Sequence, residues 1–175
     1  MTQYAEIKDY ISEHPGDPNA KFQTRRAQLD TLGRVIESTV TDPVGGDLKT
    51  ENTFGSWSQV TSTTVPHRAL DPSYGVTYGY VGLNHISSVS LPSQGTISYS
   101  YHLNETTVTN IDGHNRRYIY QEDGKITQVL EQDDTGQLTV ATDYAYDTLG
   151  RLITISQGAQ TRSFSYDVTG RIFSL

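Results

Sequence analysis

From Lys21 to the end of the chain, apolar positions alternate with serine, threonine and charged positions in short runs, each ending at a cluster of Gly, Asp, Asn or Pro. Period-two alternation broken by turn formers predicts β-strands joined by tight reversals. About 14 strands of five to eight residues fit between the breaks, an ordinary strand length. The aromatics recur as i,i+2 pairs: Tyr78 with Tyr80, Tyr99 with Tyr101, Tyr118 with Tyr120, Tyr144 with Tyr146 and Phe164 with Tyr166. Each pair therefore faces one side of its strand. Stacked along successive hairpins they predict a ladder, each cross-strand pair contributing roughly 0.2 to 1 kcal/mol. Residues 1–20 stand apart as an N-terminal segment, short helix or irregular. Tyr4, Ile7 and Ile11 favour the helix, although Ala5, Ile7 and Ile11 also fit one side of a strand. His14-Pro15-Gly16-Asp17-Pro18 ends either element, leaving 21–175 as the strand array.

The reversals repeat a motif. Tyr146-Asp147-Thr148-Leu149-Gly150-Arg151-Leu152 returns 20 residues later as Tyr166-Asp167-Val168-Thr169-Gly170-Arg171-Ile172. In each copy the tyrosine ends a strand, the aspartate bonds its own turn, and the glycine supplies the positive φ of a type I turn with a bulge. The Arg-Leu or Arg-Ile pair opens the returning strand. Tyr166 and Arg171 are expected to stack across their own hairpin for about 0.5 to 1 kcal/mol. Tyr120 to Ile126 keeps the tyrosine, Gly124, the cation and the aliphatic. Leu29 to Val35 keeps Asp30, Gly33 and Arg34 but lacks the aromatic, and Tyr80 to Ile86 keeps the spacing with Asn84 in the glycine slot. Phe54 to Val60 and Tyr101 to Thr107 match mostly by spacing. Anchors at 29, 54, 80, 101, 120, 146 and 166 define an array of seven units. A second set of reversals, such as Asp42 to Gly46, Asp112 to Asn115 and Asp133 to Gly136, belongs at the opposite end of the strands. The longest connection, Pro66 to Gly75, predicts a protruding loop.

Composition adds exclusions. A net charge of −7 argues against nucleic acid, which needs clustered cations. The chain has no cysteine, hence no disulfide framework and no thiolate ligand or nucleophile. No apolar run is long enough to cross a bilayer, and no signal peptide opens the chain. His14, His67, His85, His102 and His114 show no paired metal-ligand spacing, and no nucleophile elbow, P-loop or dinucleotide fingerprint is present. The expectation is a non-catalytic chain without metal or cofactor. A rival reading is a carbohydrate-binding or adhesive β-module at the cell surface, in which exposed Trp57, Tyr74 or Tyr78 stacks on sugars.

The Tyr-Asp-x-x-Gly-Arg-Leu/Ile unit at spacings near 20 resembles the YD repeat of the bacterial RHS family, also found in toxin-complex shell proteins and teneurins. The match is specific at Thr142 to Ile172 and weaker upstream. The resemblance implies an all-β fold of about seven antiparallel hairpins in a continuous curved sheet, part of a spiral shell around a toxin or effector cargo. It also implies a parent protein that is secreted or at the cell surface. The partners implied are further YD repeats, or another copy of the chain, meeting through edge strands. The repeat residues expected to carry the fold are Asp30, Gly33, Arg34, Tyr80, Tyr120, Gly124, Tyr146, Asp147, Gly150, Arg151, Tyr166, Asp167, Gly170 and Arg171.

Overall fold

The computed structural model describes residues 3–10, 22–42, 46–82 and 84–174. Among these residues the fold is all-β, with 16 strands and no helix. They fall into two units, Met1–Gly95 and Thr96–Leu175.

In the first unit the strands are β1 (Gln3–Tyr10), β2 (Phe22–Leu29), β3 (Val35–Asp42), β4 (Gly46–Phe54), β5 (Val60–Thr64), β6 (Gly75–Val81) and β7 (His85–Leu91). Each pairs antiparallel with the next. The short helix favoured near the N-terminus is a strand instead. Gln3–Tyr10 pairs with β2 from Gln3↔Leu29 to Tyr10↔Phe22, and Glu6 meets Arg26 directly opposite at 3.1 Å. A full row of main-chain bonds along the neighbouring strand outweighs a helical spacing of only three apolar residues. The turn expected at His14 to Pro18, and residues 43–45 of the first far-end reversal, lie outside the described residues.

The second unit holds β8 (Gly95–His102), β9 (Glu105–Thr109), β10 (Asn115–Tyr120), β11 (Ile126–Gln132), β12 (Leu138–Tyr146), β13 (Leu152–Gln157) and β14 (Gln160–Ser163). These too run antiparallel in chain order. A small hairpin of β15 (Ser165–Tyr166) and β16 (Ile172–Ser174) follows.

Alternation sorts the side chains by face. Pairings Tyr118↔Val129, Val129↔Thr142 and Tyr144↔Ile155 put Tyr118, Val129, Tyr144 and Ile155 on one side of the second unit. Gln128, Asp143 and Ser156 pair in a row on the other side. The first unit repeats the arrangement: Thr63, Val76, Tyr78 and Val89 share one face, while Ser62, Thr77 and Ser90 share the opposite one. Among the described residues no apolar side chain is fully buried. Each sheet is a single layer with an aromatic-aliphatic face and a Ser/Thr-rich face, rather than the two packed layers of an ordinary domain.

The loop expected to protrude between β5 and β6 is instead tied down over its first half. Lys49 and His67 exchange backbone bonds of 2.8 and 3.0 Å, extending β5 along β4, and an Arg68 Nη1 donates to the Gly46 carbonyl at 3.2 Å. Its second half, residues 69–74, is exposed, Leu70 fully so.

Candidate functional site

Five-residue loops close seven of the hairpins, and their backbone bonding is uniform. At Asp30–Arg34, Gly55–Gln59, Asn110–His114, Gln121–Lys125, Asp133–Gln137, Asp147–Arg151 and Asp167–Arg171, the first residue's N–H donates to the fifth residue's carbonyl. The fourth residue's N–H donates back to the first carbonyl, and all these bonds measure 2.8 to 3.1 Å. The fourth position has positive φ in every case: Gly33, Gly113, Gly124, Gly136, Gly150 and Gly170 lie between 76° and 82°, and Ser58 at 63°. That conformation is nearly free of strain for glycine alone. Beyond six of the loops, Asn110–His114 being the exception, the returning strand carries one extra residue, and the five loop residues separate the motif's first residue from its seventh. As a result the first and seventh motif residues face each other as Leu29↔Val35, Phe54↔Val60, Tyr120↔Ile126, Tyr146↔Leu152 and Tyr166↔Ile172.

The aspartates cap the loops. Asp147 Oδ1 accepts from the N–H groups of Leu149 and Arg151, both at 2.9 Å, while Oδ2 holds Arg151 Nε at 2.7 Å. Asp30 repeats this on Leu32 and Arg34, and Asp167 on Thr169 and Arg171. In the Tyr120 motif, Gln121 occupies the aspartate slot and the acid has moved two places on. Asp123 accepts from the Lys125 N–H at 3.1 Å and pairs with the Lys125 ammonium. Asn110 and Asp133 make the same cap at the opposite end of their strands. Those two reversals were expected only as generic turns. The sequence signal was present in Asn-x-x-Gly and Asp-x-x-Gly, without the preceding tyrosine that drew attention elsewhere.

The held cations reach forward to the next motif. Arg34 lies 4.5 Å from the Phe54 ring, Lys125 5.8 Å from Tyr146 and Arg151 4.7 Å from Tyr166. The expected stack of Arg171 on Tyr166 within one hairpin is therefore corrected: Tyr166 receives Arg151 from the hairpin before it. The carboxylate draws each guanidinium across its own loop and away from its own tyrosine. Hydroxyl groups also bond from one motif to the one before it, for Tyr80 donates to the Val60 carbonyl at 2.6 Å, Tyr146 to Ile126 at 2.8 Å and Tyr166 to Leu152 at 2.7 Å. Each acceptor is the seventh residue of the preceding motif. Phe54 has no hydroxyl, and Asn52 Nδ2 donates to the Val35 carbonyl at 3.1 Å in its place.

The predicted repeat residues thus assemble into successive junctions along one edge of each unit. Asp30, Gly33, Arg34, Gly124, Tyr146, Asp147, Gly150, Arg151, Tyr166, Asp167, Gly170 and Arg171 all sit in five-residue loops or their junctions. Tyr80 makes its hydroxyl bond and opposes Ile86, yet its reversal is shorter, with Val81 paired to His85 and Gly82 at φ 59°. Tyr101 departs most: His102↔Glu105 leaves a two-residue reversal, with Leu103 at φ 51°. There Asn104 takes over, its carbonyl accepting from the Tyr120 N–H at 2.9 Å and its amide donating to the Tyr120 carbonyl at 2.8 Å. Sequence reasoning missed Asn52, Asn104 and Asp123, and the seventh-position carbonyls, which no side chain advertises.

The same contacts set the charge state of the loops. The backbone N–H groups of Arg34 and Arg151 hold Asp30 and Asp147 below the usual carboxylate range, with the guanidinium adding to the effect. Thr169 hydroxyl, then the Arg171 N–H, lowers Asp167, and the Thr135 and Thr139 hydroxyls lower Asp133. The Lys125 ammonium is the main cause bringing Asp123 from 3.8 to about 2. Groups depressed in the folded state stabilise it above their unfolded value and lose that contribution as pH falls through the folded value. The melting midpoint is expected to hold from pH 7 to about 5, then to fall between about 4 and 2. A midpoint unchanged at pH 2 would mean that the loop carboxylates do not support the fold.

Among the described residues no three His, Asp or Glu converge on a metal-sized site. The surface depressions are open; one, lined by His114, Tyr118 and the Arg116–Glu131 ion pair, lies beside the Asn110 loop. Among the described residues no helix is long and apolar enough to cross a membrane.

No protein-family profile matches the chain, and no curated protein matches its sequence. Among solved structures, the crystal structure of TcdB2-TccC3-TEV is similar in fold, with a TM-score of 0.66 at 12% identity over 98% of this chain. The chain spans 12% of that longer one.

Proposed function

We propose that the chain is a non-catalytic wall module. Its repeat array, residues 21–175 with β1 added alongside, contributes part of a β-sheet shell that encloses or presents a toxin or effector cargo. The observation that carries this reading is the head-to-tail junction, in which the cation and the seventh-position carbonyl of one motif meet the tyrosine of the next, as at Lys125 and Ile126 with Tyr146 and at Arg151 and Leu152 with Tyr166. A surface built from such junctions extends by adding units, and its stability is a sum of neighbour contacts rather than of one core. The single-layer sheets fit the role, since a wall needs one face for solvent and one for what it encloses. The fold likeness to TcdB2-TccC3-TEV and the resemblance to RHS/YD repeats point the same way. In this reading the parent protein acts outside the cell or at its surface.

Electron microscopy of the polypeptide purified from its source tests the proposal. The aromatic face is expected to line an enclosed volume, and a second sheet of the same domain packed on it would contradict the wall. A glycan array tests the rival. Trp57 is exposed at the tip of its loop, so saturable sugar binding abolished by Trp57→Ala would replace the wall with an adhesive module.

A further inference from the structure

In the first unit, two neighbouring loops on the motif edge place a large apolar side chain third: Leu32 in Asp30–Arg34 and Trp57 in Gly55–Gln59, each 71% exposed. Arg34 Nη1 donates to Ser58 Oγ at 3.1 Å, so the loops are tied side by side, about 10 Å apart at the usual strand spacing. The second unit repeats the feature on its own motif edge, with exposed Leu149 third in Asp147–Arg151 and exposed Leu103 in the reversal after β8. Asp123 interrupts the series there, paired with Lys125. At the opposite ends of their strands, Asn110–His114 and Asp133–Gln137 place Asp112 and Thr135 third instead. The backbone of the two apolar tips is bonded within its own loops. Leu32 N–H donates to Asp30 Oδ1 at 2.9 Å and Gly33 N–H to the Asp30 carbonyl at 3.1 Å; Trp57 N–H donates to Gln59 Oε1 at 2.9 Å and Ser58 N–H to the Gly55 carbonyl at 3.1 Å. Donors paired in this way can leave water without the penalty that keeps ordinary loops out of an apolar phase.

We propose that this loop edge of the first unit docks on the surface of a zwitterionic lipid bilayer, with Leu32 and Trp57 entering the boundary between headgroups and acyl chains. Charge selects the lipid. Asp30 is paired with Arg34 at 2.6 Å and Gly55–Gln59 carries no charged residue, so the edge is neutral in a chain of net charge −7. Such an edge gains nothing from anionic headgroups, and the rest of the chain is repelled by them. Shape selects a bilayer over a folded partner. Leu32 and Trp57 are separate projections flanked by Thr31, Gly33, Ser56 and Ser58, and a protein would need a matching pocket for each. A fluid interface closes around projections at any spacing. Tryptophan suits that boundary, its ring at headgroup level and its N–H toward water. The contact is peripheral, involves no spanning element, and stands independently of the wall reading.

Trp57 is the chain's one tryptophan, so its emission reports the contact directly. The full chain is titrated with unilamellar phosphatidylcholine vesicles. A saturable blue shift is expected, with co-flotation and with quenching by lipids brominated in the upper acyl chain. Leu32→Asp should weaken partition by about tenfold, the order expected for withdrawing one apolar side chain from the interface. Aspartate is compatible with the loop, since Asp112 and Asp123 hold the same position in theirs. Leu70→Asp, in the exposed connection at the opposite edge of the same unit, should leave partition unchanged. Adding phosphatidylserine to the vesicles should not tighten binding. Absence of both shift and flotation overturns the docking edge. So does a shift indifferent to Leu32→Asp, which would place the contact on another surface, or a requirement for phosphatidylserine, which would make it electrostatic. Circular dichroism of each variant separates lost binding from lost fold.

Discussion

Tyr146→Ala is expected to lower the stability of the second unit by about 3 kcal/mol, the largest loss from any single repeat side chain. Three contributions combine. The hydroxyl bond to the Ile126 carbonyl at 2.8 Å is worth about 1 kcal/mol net. The stack under Lys125 adds roughly 0.5 kcal/mol at a partly exposed site. Removing a half-buried ring costs a further 1.5 kcal/mol or so, about half of what complete burial of a large side chain contributes. The melting midpoint should fall by roughly 6 to 12 °C, using the sensitivity usual for a chain of this length. Tyr146→Phe separates the parts, since it keeps the ring and should cost only about 1 kcal/mol. Equal losses for Ala and Phe would show that the hydroxyl alone matters and that the ring stack is incidental. Because neighbour contacts dominate such arrays, hydrogen exchange should report the damage first at β11 to β13, with β2 and β3 little changed.

The uneven legibility of this fold in its sequence follows from the same distinction between local and neighbour contacts. Asp147, Gly150, Asp167 and Gly170 act within five residues of themselves, so their pattern is visible in a single motif. The turn chemistry and the all-β class were readable for that reason. The direction of the stack was not, because Arg151 meets Tyr166 only through the register between two hairpins. That register is set by bulges such as the one opposite Ala145 and Tyr146, where Ile153 is the extra residue on the returning strand. No composition rule locates such a bulge. Substitution by function rather than by position hid other parts of the junction edge. Asp123 replaces an aspartate two places earlier, Asn52 replaces a hydroxyl on another residue, and Asn104 replaces a whole loop. The N-terminal strand failed differently: its apolar spacing is compatible with two elements, and only the presence of β2 beside it decides between them.

Gly150→Val puts the loop conformation itself to the test, and the expected loss is about 2 kcal/mol. Gly150 has φ 76°, where a β-branched side chain is rare because its Cβ substituents crowd the adjoining carbonyl. Strain of this kind costs of order 1 to 3 kcal/mol. A Cβ at this position would also lie 2.7 Å from Lys125 Nζ. That end of a flexible side chain can swing away, but doing so withdraws the cation from the Tyr146 ring, so the substitution harms the loop and the junction before it. Gly150→Asn is the control, since asparagine tolerates left-handed φ and should recover most of the loss. Gly170→Val meets the same strain at φ 82° with open space around its Cβ. Its loop closes only the two-stranded hairpin of β15 and β16, whose opening costs little on its own. The strain there should therefore speed local hydrogen exchange around residues 165 to 174 while barely moving the main melting transition. If Gly150→Val melted like the parent chain, the positive-φ loop would not be the element that fixes the register. The junctions would then have to be held by strand pairing alone.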